Sequence, residues 1–255
     1  MCASCGCGTA DHHHHEHPHD HAHDRGLVAG GRMQRIEQEL LARNDHLAGH
    51  NREWLAARGI VALNLIGAPG AGKTSLLEAT ARQLDAIEIS VLEGDQETDA
   101  DARRIRAAGC KALQINTGAG CHLDAAMIEG ALSRLEPSPG SLLFVENVGN
   151  LVCPALFDLG EAAKVVVLSV TEGDDKPLKY PHVFRAADVF VLNKTDLLPH
   201  VTFDVDACLT NARRVNPDLR IFRLSARTGE GMDEWCGWLA GLSERWSAKT
   251  AEGAR

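Results

Sequence analysis

Aromatic side chains are scarce in this 255-residue chain: six Phe, four Trp and one Tyr, 4% of the sequence. Stacking of single-stranded nucleic acid depends on such rings. Basic charge is short as well, with 26 Lys and Arg against 35 Asp and Glu and a formal net charge of −9. The two deficits together exclude the basic, ring-lined footprint of a nucleic-acid-binding protein. No apolar run approaches the roughly 20 residues needed to cross a bilayer, which excludes a membrane-spanning helix. The first residues also lack the basic start and apolar stretch of a secretory signal, so the expectation is a cytoplasmic protein. In that reducing compartment, eight cysteines point to metal ligation or buried thiols before disulfides.

Histidine, by contrast, is abundant, with 13 residues. Eight of them, His12, His13, His14, His15, His17, His19, His21 and His23, crowd into twelve positions interleaved with Asp11, Glu16, Asp20 and Asp24. Imidazoles at that density bind several divalent ions weakly and exchange them, which suits an auxiliary metal store. The acids and Pro18 within the run argue against an expression tag. Ahead of it, Cys2, Cys5 and Cys7 form Cys-x-x-Cys-Gly-Cys, a spacing that lets three thiolates face one ion without a folded scaffold. With the chain amine as a fourth donor, the set suits square-planar Ni²⁺ or tetrahedral Zn²⁺, and both remain open. Residues 1–31 hold few large apolar side chains and end in Gly30-Gly31, so they read as a flexible metal-binding arm.

Residues 32–255 read as one domain. Ile36, Leu40, Leu41, Leu47, Trp54 and Leu55 recur at near-helical spacing, interrupted around Asn44 and Gly49, which predicts one or two packing helices. Beyond them, seven short apolar runs (60–66, 87–92, 112–115, 141–145, 164–170, 188–192 and 219–224) alternate with helical segments at 74–84, 99–108, 123–135, 205–215 and 232–242. Strands that lack in–out alternation, each followed by a helical crossover, predict an α/β fold with a mainly parallel sheet covered on both faces.

Directly after the first run stands Gly67-Ala68-Pro69-Gly70-Ala71-Gly72-Lys73-Thr74, followed by Ser75. This is a full match to the phosphate-binding loop, in which glycines let backbone N–H groups turn inward around phosphates. Lys73 is expected to reach the terminal phosphates and the Thr74 hydroxyl to ligate Mg²⁺. Asn193-Lys194-Thr195-Asp196, closing a later strand, resembles the base-reading motif of GTPases, where the Asp carboxylate accepts two hydrogen bonds that guanine donates and adenine does not. Ser225 and Ala226 resemble the further guanine-contacting loop. Glu146, with Gly149 three residues on, stands where such proteins usually carry Asp. Asp95 is placed at the C-terminal edge of the sheet, where ligands of doubly wound folds bind. Either carboxylate could hold Mg²⁺ or orient the attacking water. A second constellation, Cys121-His122 in a glycine-flanked loop together with Cys153, follows strand ends on the same edge and reads as metal-binding. Cys110, Cys208 and Cys236 read as ordinary core thiols.

In combination GAPGAGKT, EGDQ, NTGAGCHLD, ENVGNLVCP, NKTD and LSARTGEG, from about residue 32 to 245, resemble the HypB family of nickel-incorporation GTPases, SIMIBI-class P-loop proteins of nickel-iron hydrogenase maturation. The resemblance implies that Cys2, Cys5 and Cys7 are a tight nickel site. Cys121, His122 and Cys153 would form a weaker Ni²⁺/Zn²⁺ site at the interface of a homodimer promoted by GTP. It also implies Asp95 and Glu146 near Mg²⁺, a nickel- and zinc-binding maturation partner, and the hydrogenase large-subunit precursor as indirect recipient. The competing readings are a maturation GTPase of the urease or cobalamin-enzyme type, a phosphotransferase, and a nickel store without turnover.

Overall fold

The computed structural model describes residues 24–95, 99–118, 120 and 122–253. The chain divides into two units, Met1–Leu40 and Leu41–Arg255. In the first, the described residues are the leading part of helix α1 (Asp24–Ala56), which begins inside the segment expected to be an arm. The expected ligands Cys2, Cys5 and Cys7 and the histidine run lie outside the described residues.

In the second unit, the remainder of α1 is followed by β1 (Val61–Ile66), α2 (Lys73–Gln83), β2 (Ile89–Asp95), α3 (Ala100–Ala107), β3 (Lys111–Asn116), α4 (Ala125–Leu135), β4 (Leu142–Glu146) and α5 (Cys153–Leu156). Then come β5 (Ala163–Ser169), α6 (Lys176–Lys179), α7 (Pro181–Ala186), β6 (Val189–Asn193), a 3₁₀ turn (Thr195–His200), α8 (Val205–Val215), β7 (Arg220–Arg223) and α9 (Met232–Gly253). Every predicted strand is present, in one sheet of order β3-β2-β4-β1-β5-β6-β7 with parallel pairing throughout. The short helices α5, α6 and α7 were not predicted. They are four to six residues long, too short for a helical period to register.

The predicted break near Asn44 and Gly49 is absent: α1 runs through both. Asn44 and Asn51 are polar but buried, because their amides dock the helix onto the rest of the unit. Asn44 accepts from the Ala125 amide and donates to the Asp158 carbonyl, while Asn51 donates to the Ala125 and Leu159 carbonyls. Gly160, at φ +90°, lies under this contact. A Cβ there would come within 2.7 Å of the Ala48 carbonyl. The prediction of a packing helix therefore holds for this part of α1, with amides rather than an unbroken apolar stripe making the contact.

Both sheet faces are covered. On one, Val61, Leu63, Leu65, Val91, Phe144, Val165 and Val191 pack under α2 and α9, and Trp235 donates its Nε1–H to the Thr80 hydroxyl at 2.9 Å. On the other, α4 packs over β2 and β4 through Ile128 and Leu132, and α7 and α8 pack over β5 and β6 through Phe184 and Cys208. Parallel strands buried on both sides account for the continuous apolar runs in the sequence.

Candidate functional site

All strands end on the same edge of the sheet. On the face under α2 and α9, each row of core side chains gives way there to polar ones, since alternate residues share a face. Val91 is succeeded by Glu93 and Asp95, Phe144 by Glu146, Val167 by Ser169, and Val191 by Asn193. These side chains form the floor on which the phosphate-binding loop rests.

The loop is held in one conformation by close backbone contacts. Gly70 and Gly72 have φ of +77° and +94°, the left-handed region that glycine tolerates. A Cβ on Gly67 would fall 2.5 Å from the Val167 carbonyl oxygen, and one on Gly72 would fall 2.5 Å from Asn193 Nδ2. Lys73 and Thr74 open α2, and both are buried. Lys73 donates its ammonium to the Gly67 carbonyl at 3.0 Å. Burial lowers the proton affinity of that ammonium. The Thr74 hydroxyl donates to Glu146 Oε1 at 2.8 Å, so two residues predicted to meet one metal ion are in direct contact.

A cleft of about 680 Å³ lies over the loop, lined by Lys73, Thr74, Asp95, Glu146 and Lys194 among others. Burial pushes the Glu146 carboxyl up to about 7 against the opposing pull of Lys73. Glu93, also in the cleft, is pushed up to about 8, by burial first and then by the negative charges of Glu146 and Asp95. Glu93 did not stand out in the sequence because the second apolar run ends at Leu92. The strand continues to Asp95, which places Glu93 and Asp95 on one face. Asp101 and Arg104 of α3 line the same cleft and were not predicted either. Arg104 is held there by Glu78 at 2.9 Å and Asp101 at 3.0 Å.

A second pocket of about 490 Å³ adjoins the first, with Ser75 and Lys194 lining both. Asn193, Lys194, Asp196 and Ala226 line it. Asn193 donates to the Ala71 carbonyl at 3.1 Å and accepts from the Ala226 amide at 3.2 Å, tying the phosphate loop to the last loop of the edge. Lys194, at φ +63°, donates to the Gly70 carbonyl at 2.6 Å. Ser225 donates to Asp196 Oδ1 at 2.6 Å and so orients that carboxylate.

Of the second constellation, Cys121 lies outside the described residues. The His122 ring stacks on Phe157, centroids 3.9 Å apart, and Phe157 caps the short helix that begins at Cys153. The two predicted segments therefore adjoin. Burial lowers the proton affinity of His122, partly offset by Asp124, favouring the neutral imidazole that a metal requires. Among the described residues no group of three or more His, Cys, Asp or Glu side chains is placed to hold a metal ion. Asn147, next to Glu146 and fully buried, accepts from the backbone amide of Leu123 at 3.2 Å and so joins the nucleotide-side strand end to the His122 loop. Cys208 and Cys236 are buried core thiols whose burial raises them to about 12 and about 11, and Cys110 is half-buried against the core, as predicted.

No helix among the described residues is long and apolar enough to cross a membrane. Residues 61–223 match the family model of the CobW/HypB/UreG nucleotide-binding domain. The chain is 61% identical over 209 residues to the hydrogenase maturation factor HypB of Azotobacter vinelandii, covering 82% of this chain and 69% of that one. It is 56% identical to the HypB of Escherichia coli K12, covering 82% and 72%. Among solved structures, HypB from Archaeoglobus fulgidus superposes with a TM-score of 0.75 at 45% identity, covering 80% of this chain and 100% of that one. HypB from Helicobacter pylori in complex with nickel superposes with a TM-score of 0.75 at 38% identity, covering 80% and 96%. The chain belongs to the HypB family of hydrogenase maturation factors, with the fold of a SIMIBI-class P-loop GTPase.

Proposed function

We propose that the chain is a GTP-hydrolysing metallochaperone that stores nickel and delivers it during maturation of nickel-iron hydrogenase. The observation that carries this reading is the pair of adjoining pockets joined at Lys194, one over the phosphate loop and one containing Asp196. A guanine base in the second pocket would donate its ring N–H and exocyclic amine to the Asp196 carboxylate, which Ser225 already orients. The Gly67–Ser75 segment would cradle the phosphates with backbone N–H groups, and the positive end of α2 would favour their charge. Lys73, already at the loop, would carry its ammonium to the terminal phosphates.

The hydroxyl of Thr74 and the carboxylates of Glu146 and Asp95 are hard oxygen donors that fit Mg²⁺. Glu146 Oε2, buried without a hydrogen-bond partner, supports that fit. When bound, Mg²⁺ would neutralise charge on the β- and γ-phosphates. Either carboxylate of the pair fits the ion, and whichever of Asp95 and Glu146 does not hold it would orient the attacking water.

On the metal side, Cys2, Cys5 and Cys7 are the tight nickel site, the histidines of the run are a reservoir, and Cys121, His122 and Cys153 form a weaker Ni²⁺/Zn²⁺ site shared across a GTP-promoted homodimer. Closing the dimer on GTP would assemble that site, and hydrolysis would open it toward a nickel- and zinc-binding maturation partner, with the hydrogenase large-subunit precursor downstream. The nickel complex of the Helicobacter pylori HypB supports metal handling. A wider remit has one observation in its favour: a relative 39% identical is named a hydrogenase/urease maturation factor in Helicobacter pylori.

Turnover of GTP and ATP by the full chain tests the reading. GTP should be preferred by about a hundredfold or more, because the Asp196 carboxylate accepts two hydrogen bonds that guanine donates and for which adenine has no matching donors. Asp196→Asn should move the preference from GTP toward xanthosine triphosphate. Equal turnover of GTP and ATP would remove the guanine assignment, and no turnover would leave the store.

A further inference from the structure

Two buried carboxylates meet beside the phosphate loop, and the function proposed above uses one of them. Glu93 and Glu146 are register partners on β2 and β4. Adjacent strands lie about 4.8 Å apart, and partners in register project from the same face, so the two side chains rise side by side. They are 3% and 5% exposed, and both line the cleft with Lys73 and Thr74. One oxygen of Glu146 is held by Thr74. The other, Oε2, and Glu93 Oε2 are each buried with no hydrogen-bond partner.

A buried carboxylate oxygen without a donor is costly, and a second like group beside it raises the cost. Lys73 does not relieve either orphan oxygen, because its ammonium is on the Gly67 and Ala68 carbonyls. Two carboxylate oxygens and a hydroxyl on one wall of a phosphate-sized cleft are the donor set of a hard divalent cation. We propose that Glu93 is a cation-positioning residue of the nucleotide site: its carboxylate holds, directly or through a bound water, the divalent ion seated at Glu146 and Thr74. The chain thus presents a two-carboxylate seat on paired strands, in which Glu93 adds an oxygen donor beside Glu146 where the cation is held.

This rests on the reading of the cleft as a GTP–Mg²⁺ site, and the test separates the two. Equilibrium binding of a fluorescent GDP analogue to the full chain is measured in saturating Mg²⁺ and in EDTA, for the wild type, Glu93→Gln and Glu93→Asp. In the wild type Mg²⁺ should tighten binding. Glu93→Gln should reduce that Mg²⁺-dependent gain about tenfold, as loss of a metal-supporting carboxylate does, while affinity in EDTA stays within about twofold. Glu93→Asp, which keeps the charge on a shorter stem, should restore part of the gain. A gain unchanged in Glu93→Gln, or affinity lost equally with and without Mg²⁺, overturns the role of Glu93 while leaving the GTP reading intact. Failure of the wild type to bind GDP in either condition overturns both.

Discussion

The nucleotide cleft and the Cys/His segments lie on loops at the same edge of the same sheet, yet they are built differently. The strand-borne polar residues at the cleft continue core rows: Glu146 follows Phe144 and Asn193 follows Val191 on strands buried on both sides. Its loops are cross-tied through Asn193 and Lys194. His122, in contrast, leans on Phe157 at the end of a four-residue helix, and the described residues bring no third ligand to it. Among the described residues the cleft is cross-tied within one chain. The two Cys/His segments adjoin, and among the described residues they form no group of three metal-binding side chains; Asn147 is the hydrogen-bonded joint between the two regions.

Breaking the rigid side should have the largest effect. Gly72→Ala puts a Cβ into a left-handed backbone and 2.5 Å from Asn193 Nδ2. Guanine-nucleotide affinity should fall about a hundredfold and the fold should lose about 1–3 kcal/mol, seen by calorimetric titration and thermal melting. Normal nucleotide binding by this variant would mean that the loop is not the rigid partner of the comparison.

The metal side is expected to yield selectively. In a full-length background with Cys2, Cys5 and Cys7 changed to Ser, either His122→Ala or Cys153→Ser should weaken Ni²⁺ about tenfold or more while GDP affinity stays within about twofold. In the same background, Ni²⁺ affinity should differ between GDP and a non-hydrolysable GTP analogue. Identical affinities with the two nucleotides would uncouple the regions.

The smallest effect concerns pH. Glu146 and Glu93 hold their protons more tightly when folded, at about 7 and about 8, than in an unfolded chain, near 4.5. The folded state therefore binds more protons between those values, and its stability from these groups is full below about pH 4.5 and lost as pH rises through about 7 to 8. The melting temperature of the nucleotide-free protein should decline across this range. Glu146→Gln should flatten the decline by a few degrees, given roughly 2–4 °C per kcal/mol for a domain of this size. Identical slopes for the two proteins would show that the carboxyl does not carry the effect.

Much of this architecture was legible in the residues. Short apolar runs without in–out alternation point to parallel strands, and each was found in the sheet, buried on both sides except for the partly exposed edge strands β3 and β7. GAPGAGKT and NKTD were equally legible, since their chemistry lies in contiguous residues. What was not legible depended on where a strand stops or on what a helix touches. Glu93 was hidden because apolarity ends at Leu92 while backbone pairing continues to Asp95. Arg104 and Asp101 were hidden because nothing in their own segment says that α3 borders the cleft. Asn44 looked like a helix break because its partners, Ala125 and Asp158, are far away in sequence.

By itself, the sequence determined the fold class, the phosphate loop, the base-reading tetrapeptide and the kinds of metal ligand available, because each is set by local pattern and residue chemistry. Only the tertiary structure decided which side chains share a site. Parallel register makes Glu93 and Glu146 neighbours, the strand ends bring Asn193 under Gly72, and ring stacking sets His122 against Phe157. Those juxtapositions join residues dozens of positions apart, and they exist only once the sheet has closed around its core.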